Sequence, residues 1–157
     1  METHAGGTDL PKPVLTRLWT DLYCWIHQPW APTSPRAEMD AIFADITDSM
    51  NLPASRIAIR GDRPVAAAFV VPHHIGLLVI AETATPDEPD GRQLVAGLLG
   101  HTLSRIDTDQ ATIDGHLTDP HLWPVAGHHP APPRPHPAPR PSTTLTDCPT
   151  HQTVGVE

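Results

Sequence analysis

The chain is poor in lysine. Lys12 alone accompanies nine arginines, and 10 Lys+Arg face 18 Asp+Glu, for a formal net charge of -8. Binding a phosphate backbone needs clustered cations, so this balance excludes a basic nucleic-acid binder. Cysteine is scarce too. Cys24 and Cys148 lie far apart, which excludes a disulfide framework. No stretch reaches the ~20 apolar residues of a membrane span, and the longest, 65–81, is broken by Pro72, His73 and His74. The opening METHAGGTDLPKP lacks a basic segment followed by an apolar one, so no secretory signal is expected. These absences point to a cytoplasmic protein with neither a membrane nor a nucleic acid as partner.

What is plentiful is proline, 20 residues, and histidine, 11. Much of both falls after Gly127, where Pro alternates with Ala, Arg and His. Such a stretch has no apolar face to bury and favours an extended backbone. We therefore divide the chain into a flexible N-terminus (1–9), a single domain (10–127) and a disordered Pro/His-rich tail (128–157).

Within the domain, the hydrophobic period changes twice. Leu15, Leu18, Leu22, Trp25 and Ile26 fall at helical spacing after Pro13, and Pro29 stops the pattern. A second helix opens at Ser34-Pro35, with Met39, Ile42, Phe43, Ile46 and Met50 as its expected buried stripe. Alternation then sets in at Arg56-Ile57-Ala58-Ile59-Arg60. Two continuous apolar runs follow, 65–71 and 75–81, separated by turn residues. Three strands with short links predict an antiparallel meander, and strands without a polar face predict cover on both sides. A third helix is expected over 91–106, with Val95, Leu98, Leu99 and Leu103 facing inward. Gly97 and Gly100 inside it are each unfavourable by about 1 kcal/mol relative to Ala, so close packing on the sheet is expected there. A short strand or turn over 111–117 completes the domain. The fold class is α+β: two N-terminal helices, a three-stranded antiparallel meander and a third helix packed on the sheet.

The segment Gly97-Leu98-Leu99-Gly100-His101 resembles the helix of zincin-type metallopeptidases, whose His-Glu-x-x-His places two zinc ligands one turn apart and a Glu beside the metal-bound water. Met50-Asn51-Leu52-Pro53-Ala54-Ser55-Arg56-Ile57-Ala58-Ile59 is similar to the helix-to-strand entry of HtpX-type peptidases. The order of elements resembles the ImmA/IrrE type. The resemblance implies a peptidase scaffold in which only His101 keeps a motif position. Gly97 offers no ligand and Leu98 no base, so it implies a decayed pseudo-peptidase. Otherwise His101 is an ordinary histidine at the edge of a helix's apolar face.

A second resemblance uses other residues. Arg60-Gly61-Asp62-Arg63-Pro64 followed by 65–71 is similar to the central hairpin of GNAT-type acetyltransferases. That likeness implies that the helix opening at Asp90-Gly91-Arg92-Gln93 holds the diphosphate of acetyl-CoA on backbone amides. The acidic loop with Asp87, Glu88 and Asp90 departs from the family pattern and would repel that group.

Trp19, Tyr23 and Trp30 cluster among the seven aromatics, and aromatics anchor interfaces. They are the candidate binding residues, and capping of the core is their other role. His101 is the candidate metal ligand, for zinc, and no catalytic residue is assigned. The function expected from these features is a non-catalytic module that binds a protein partner or regulates one. The alternative is a small enzyme, either an atypical metal hydrolase using His101 or a GNAT-like acyltransferase.

Overall fold

The computed structural model describes residues 2–29, 32–73, 76–107, 111–116 and 119–126, and the backbone of 151–156. Helix α1 (Lys12–His27) carries Pro13 in its first turn and buries Leu15, Leu18, Trp19, Leu22 and Ile26. Helix α2 (Arg36–Ser49) follows Pro35, whose extended backbone suits a helix start. The two helices meet through small polar side chains. Thr16 and Thr47 lie 3.3 Å apart through their hydroxyls, and Thr20 donates to Asp40 at 2.7 Å. Of the stripe expected on α2, Met39, Phe43 and Met50 are buried, but Ile42 is 50 % exposed.

The meander is present as β2 (Arg56–Arg60), β3 (Arg63–His73) and β4 (Gly76–Thr83). It is only the middle of the sheet, which has six strands in sequential order. Strand β1 (Glu2–Gly6) pairs antiparallel with β2, and β5 (Ala111–His116) runs parallel to β4. Strand β6 (His151–Val156) closes the sheet antiparallel to β5. The expected three-stranded sheet is thus corrected to a six-stranded mixed one. The segment 1–9, expected to be flexible, carries β1 and a 3-10 turn, Gly7–Asp9. Of the tail, residues 128–150 and 157 lie outside the described residues.

Both faces of the sheet are covered, which explains why β3 has no polar face. On one side Ala67, Phe69 and Val71 pack with Ile57 against α1 and α2. On the other, Ala66, Ala68 and Val70 pack with Val79 and Ala81 against α3 (Gly91–Leu103). Phe69 is fully buried and stacks on Trp19, their rings 4.8 Å apart. Burying one such side chain contributes roughly 1.5–3 kcal/mol. After β5, the single helical turn α4 (Trp123–Ala126) packs beside α3. Among the described residues, no helix is long and apolar enough to cross a membrane.

Gly97 and Gly100, inside α3, do not pack on the sheet. A Cβ on Gly100 would meet nothing within 4 Å, and one on Gly97 would meet only a His4 ring atom at 3.9 Å. Both lie on the exposed outer face. Gly100→Ala is therefore expected to stabilise the fold by about 0.5–1 kcal/mol. Chemical denaturation reads this as a raised midpoint at unchanged slope.

Candidate active site

Strands β4 and β5 pair only from Leu77↔Ala111 to Ile80↔Asp114. Beyond that point β4 keeps its partner β3 as far as Thr83, and β5 keeps β6 as far as His116. The sheet divides into a fork, with Ala81, Glu82 and Thr83 on one prong and Gly115 and His116 on the other. Side chains alternate along a strand. Leu78 and Ile80 face α1 and α2, so Glu82 does too. Ala111 and Ile113 face α3, which puts Asp114 and His116 on the same side as Glu82.

The segment after β5 props the fork open. Leu122 is fully buried against Gly115, where a Cβ would stand 2.0 Å from Leu122 Cδ2. Trp123 Nε1 donates to the His116 carbonyl at 2.6 Å. The Thr83 hydroxyl donates to the Thr85 carbonyl at 2.8 Å, so it accepts from His121 Nδ1, also at 2.8 Å. That bond fixes the proton on Nδ1. The same imidazole lies over Gly91 at the start of α3, where a Cβ would come within 2.6 Å of it. From the helical side, the Trp25 indole N–H donates to the Thr83 carbonyl.

Carboxyl groups gather inside the fork. Glu82 is buried, and its pKa is pushed up from an ordinary 4.5 to about 8, by burial first and then by Asp119 and Asp114. Asp119 is raised as well, chiefly by burial, although its Oδ1 accepts from the amides of His121 (2.7 Å) and Leu122 (3.2 Å). Its Oδ2 is buried and has no hydrogen-bond partner among the described residues. Beside these carboxyls His116 is fully buried, its ring 5.3 Å from that of His27. His27 in turn stacks on Tyr23 at 3.7 Å and donates from Nδ1 to the Tyr23 carbonyl. A carboxyl with a pKa near neutrality, in a site screened from water, can accept a proton from a reacting group.

The loop from β4 to α3 has the opposite character from an anion site. The Glu88 side chain is 1 % exposed and engages both Arg60 and Arg63, so these cations are committed. Asp87 and Asp90 stand exposed beside the helix start, and Asp90 is held at φ 57. Next to this loop a mostly apolar cavity of about 750 Å³ runs along α1, bounded by Arg63, Pro64, Ala84 and Thr85.

The residues singled out from sequence sit elsewhere or in other roles. Trp19 is not at the surface; it is buried between Phe43 and Phe69, 5.3 and 4.8 Å away. Tyr23 is half-buried at the fork, and Trp30 lies outside the described residues. His101 is exposed on the outer face of α3, with its pKa lowered by desolvation and then by Arg56, Arg105 and His4. Among the described residues, no three His, Cys, Asp or Glu side chains are grouped to hold a metal. Glu82 and Asp119 escaped the sequence reading. The available signal was an acid closing an otherwise apolar strand.

No protein-family model matches the chain, and no curated protein matches it in sequence. Solved structures do match in fold. Escherichia coli ElaA aligns over 100 % of this chain and 99 % of its own, at a TM-score of 0.51 and 13 % identity. The fold is GNAT-like. The PaiA N-acetyltransferase of Thermoplasma acidophilum, solved with coenzyme A, aligns over 76 % of this chain and 82 % of its own, with TM-score 0.47 and 6 % identity. A GNAT-family acetyltransferase of Streptococcus pneumoniae aligns over 74 % and 76 %, with TM-score 0.41 and 7 % identity.

These findings correct the sequence reading. The chain does not share the zincin scaffold, and the likeness of residues 97–101 to the peptidase helix reflects only an amphipathic helix that carries a histidine. The pseudo-peptidase reading and the non-catalytic binding module are overturned with it. The fold shared with ElaA agrees with the GNAT-like alternative instead.

Proposed function

We propose that the protein transfers an acyl group from a thioester to an amine at the fork between β4 and β5. The observation that carries this reading is Glu82, a buried carboxyl with a pKa of about 8 at the point where two parallel strands part. The GNAT-like fold shared with ElaA supports it.

In the reaction, the ammonium of the acceptor gives one proton to the Glu82 carboxylate. The freed nitrogen then attacks the thioester carbonyl carbon; the C–N bond forms and the C–S bond breaks. The second proton, lost from nitrogen as the amide forms, goes to the departing thiolate. Products are an amide, a thiol and protonated Glu82, which releases its proton to solvent. With a pKa of about 8, roughly one Glu82 in ten is ionised at pH 7, and the base becomes fully competent above neutrality.

The residues at the start of α3 do not fit the diphosphate of coenzyme A. Asp87 and Asp90 oppose an anion there, Glu88 engages Arg60 and Arg63, and His121 roofs Gly91. The donor this chain suits is a thioester recognised by its acyl and thiol portions. Free-thiol release from acetyl-CoA and from S-acetyl-N-acetylcysteamine, each with a panel of primary amines, tests both statements. Amine-dependent release from both donors is expected, with the short donor within about tenfold of acetyl-CoA, a difference under 1.4 kcal/mol. No amine-dependent release from either donor contradicts acyl transfer. Release from acetyl-CoA alone contradicts the reading of the loop.

A further inference from the structure

Helix α1 carries two working faces. Leu15, Trp19 and Leu22 pack against α2 and the sheet. Val14, Arg17, Leu18, Asp21 and Trp25 recur at three- and four-residue spacing on a neighbouring face, where they wall the cavity of about 750 Å³. Pro64 and Ala84 bound it from the sheet. Trp25 is fixed in this wall, because its indole N–H donates to the Thr83 carbonyl. Val14 at the rim is 37 % exposed, although it is a large apolar side chain. A mostly apolar cavity of this size suits the body of a small organic ligand.

The charges along the wall decide which kind. Arg17 and Asp21 stand one helical turn apart, yet Asp21 accepts from Arg36 at 2.6 Å. Arg36 also bonds Asp40 at 3.0 Å, and Asp40 accepts from Thr20 as well. Both carboxylates beside Arg17 are thus satisfied by other donors. Among the described residues the exposed Arg17 guanidinium forms no hydrogen bond, and its charge reaches Asp40 only through space. Arg63, the other cation of the lining, is held by Glu88 at 3.1 Å.

We infer that this cavity binds an amphipathic monocarboxylic acid, its apolar body against Val14, Leu18, Trp25 and Pro64 and its carboxylate on Arg17. A guanidinium offers a planar fork that matches a carboxylate with two parallel bonds. With Asp21 on the same wall, a doubly charged phosphate monoester is repelled about twice as strongly as a carboxylate. The inference goes beyond the acyl-transfer reading and uses neither Glu82 nor Asp119.

Calorimetric titration of the whole chain, without any thioester, tests it. The probes are 4-phenylbutyrate, the uncharged 4-phenylbutan-1-ol, 4-phenylbutylamine with the opposite charge, and butyrate without the ring. Phenylbutyrate is expected to bind at least about tenfold more tightly than each of the others, the size of one charge-assisted hydrogen bond or a few buried methylenes. Arg17→Gln, at an exposed position, should bring the acid down to the affinity of the alcohol and leave the alcohol unchanged. Val14→Asp places a competing carboxylate one turn from Arg17, in the first turn of α1 where an acid suits the helix end. It should weaken phenylbutyrate about tenfold. Glu82→Gln should bind phenylbutyrate as the unaltered protein does, which separates this site from the fork. Equal binding of acid and alcohol, tighter binding of the amine, no binding of phenylbutyrate, or a loss in Glu82→Gln overturns the inference. So does acid binding that survives Arg17→Gln undiminished. Binding with no acyl transfer leaves it intact and removes the catalytic reading alone.

Discussion

Glu82→Gln is expected to lower acyl transfer by about 10²–10⁴-fold, the usual contribution of a positioned general base. The amide preserves shape but cannot take the amine's proton, so the loss falls on the chemical step and kcat declines more than KM rises. The same variant also changes how stability depends on pH. The folded-state pKa of Glu82 is raised from 4.5 to about 8, so between these values the unfolded chain is ionised while the folded chain keeps its proton. The folded state then binds more protons, and stability falls as pH rises through that window. Asp119, raised mainly by burial, acts in the same direction. The native protein is expected to lose on the order of 1 kcal/mol per pH unit from pH 5 to 8 through Glu82. Urea midpoints across that range should fall steeply in the native protein and less in Glu82→Gln. Parallel slopes in the two proteins would mean that Glu82 is not the raised group.

Gly115→Ala is expected to be the most damaging small substitution near the site. The new methyl would stand 2.0 Å from Leu122 Cδ2, and Leu122 is fully buried with no route to solvent. Moving it disturbs Trp123, whose indole holds the His116 carbonyl. The cost is put at about 3 kcal/mol, a Tm drop of roughly 10 °C for a domain of this size. Since both residues share one contact, Gly115→Ala combined with Leu122→Val should cost less than the sum of the two single changes. Additive costs would show that Gly115 is constrained by something other than Leu122.

How much of this was legible in the sequence follows from what each residue's signal depends on. Apolar spacing depends on the chain's own period, so Leu15 to Ile26, Ile57-Ala58-Ile59 and the run at 65–71 identified their elements correctly. Strand β1 has no such signal. Glu2-Thr3-His4-Ala5 is held by pairing with Arg60 to Ile57, a partner more than fifty residues away. The fork is likewise a property of pairing, because it exists only where β5 stops following β4. An acid such as Glu82 at a strand end looks like the start of a polar loop until pairing places it where β5 parts from β4.

The misreadings have physical causes as well. Leu98 and Leu99 sit on the buried face of α3, which requires Gly97, Gly100 and His101 to face outward. The peptidase-like spacing was therefore the period of an ordinary amphipathic helix. Trp19 seemed available to a partner because helical spacing alone cannot tell whether a stripe is narrow or wide. With both α2 and the sheet against it, α1 buries Trp19 along with its neighbours.

The pH dependence of kcat/KM for acyl transfer from S-acetyl-N-acetylcysteamine to a primary amine tests the central claim most directly. The rate constant is expected to rise with pH along a limb set by a group near pH 8, and Glu82→Gln should remove that limb along with most of the rate. A profile flat from pH 6 to 9, or a limb that persists in Glu82→Gln, would contradict the assignment of the fork as the reacting centre.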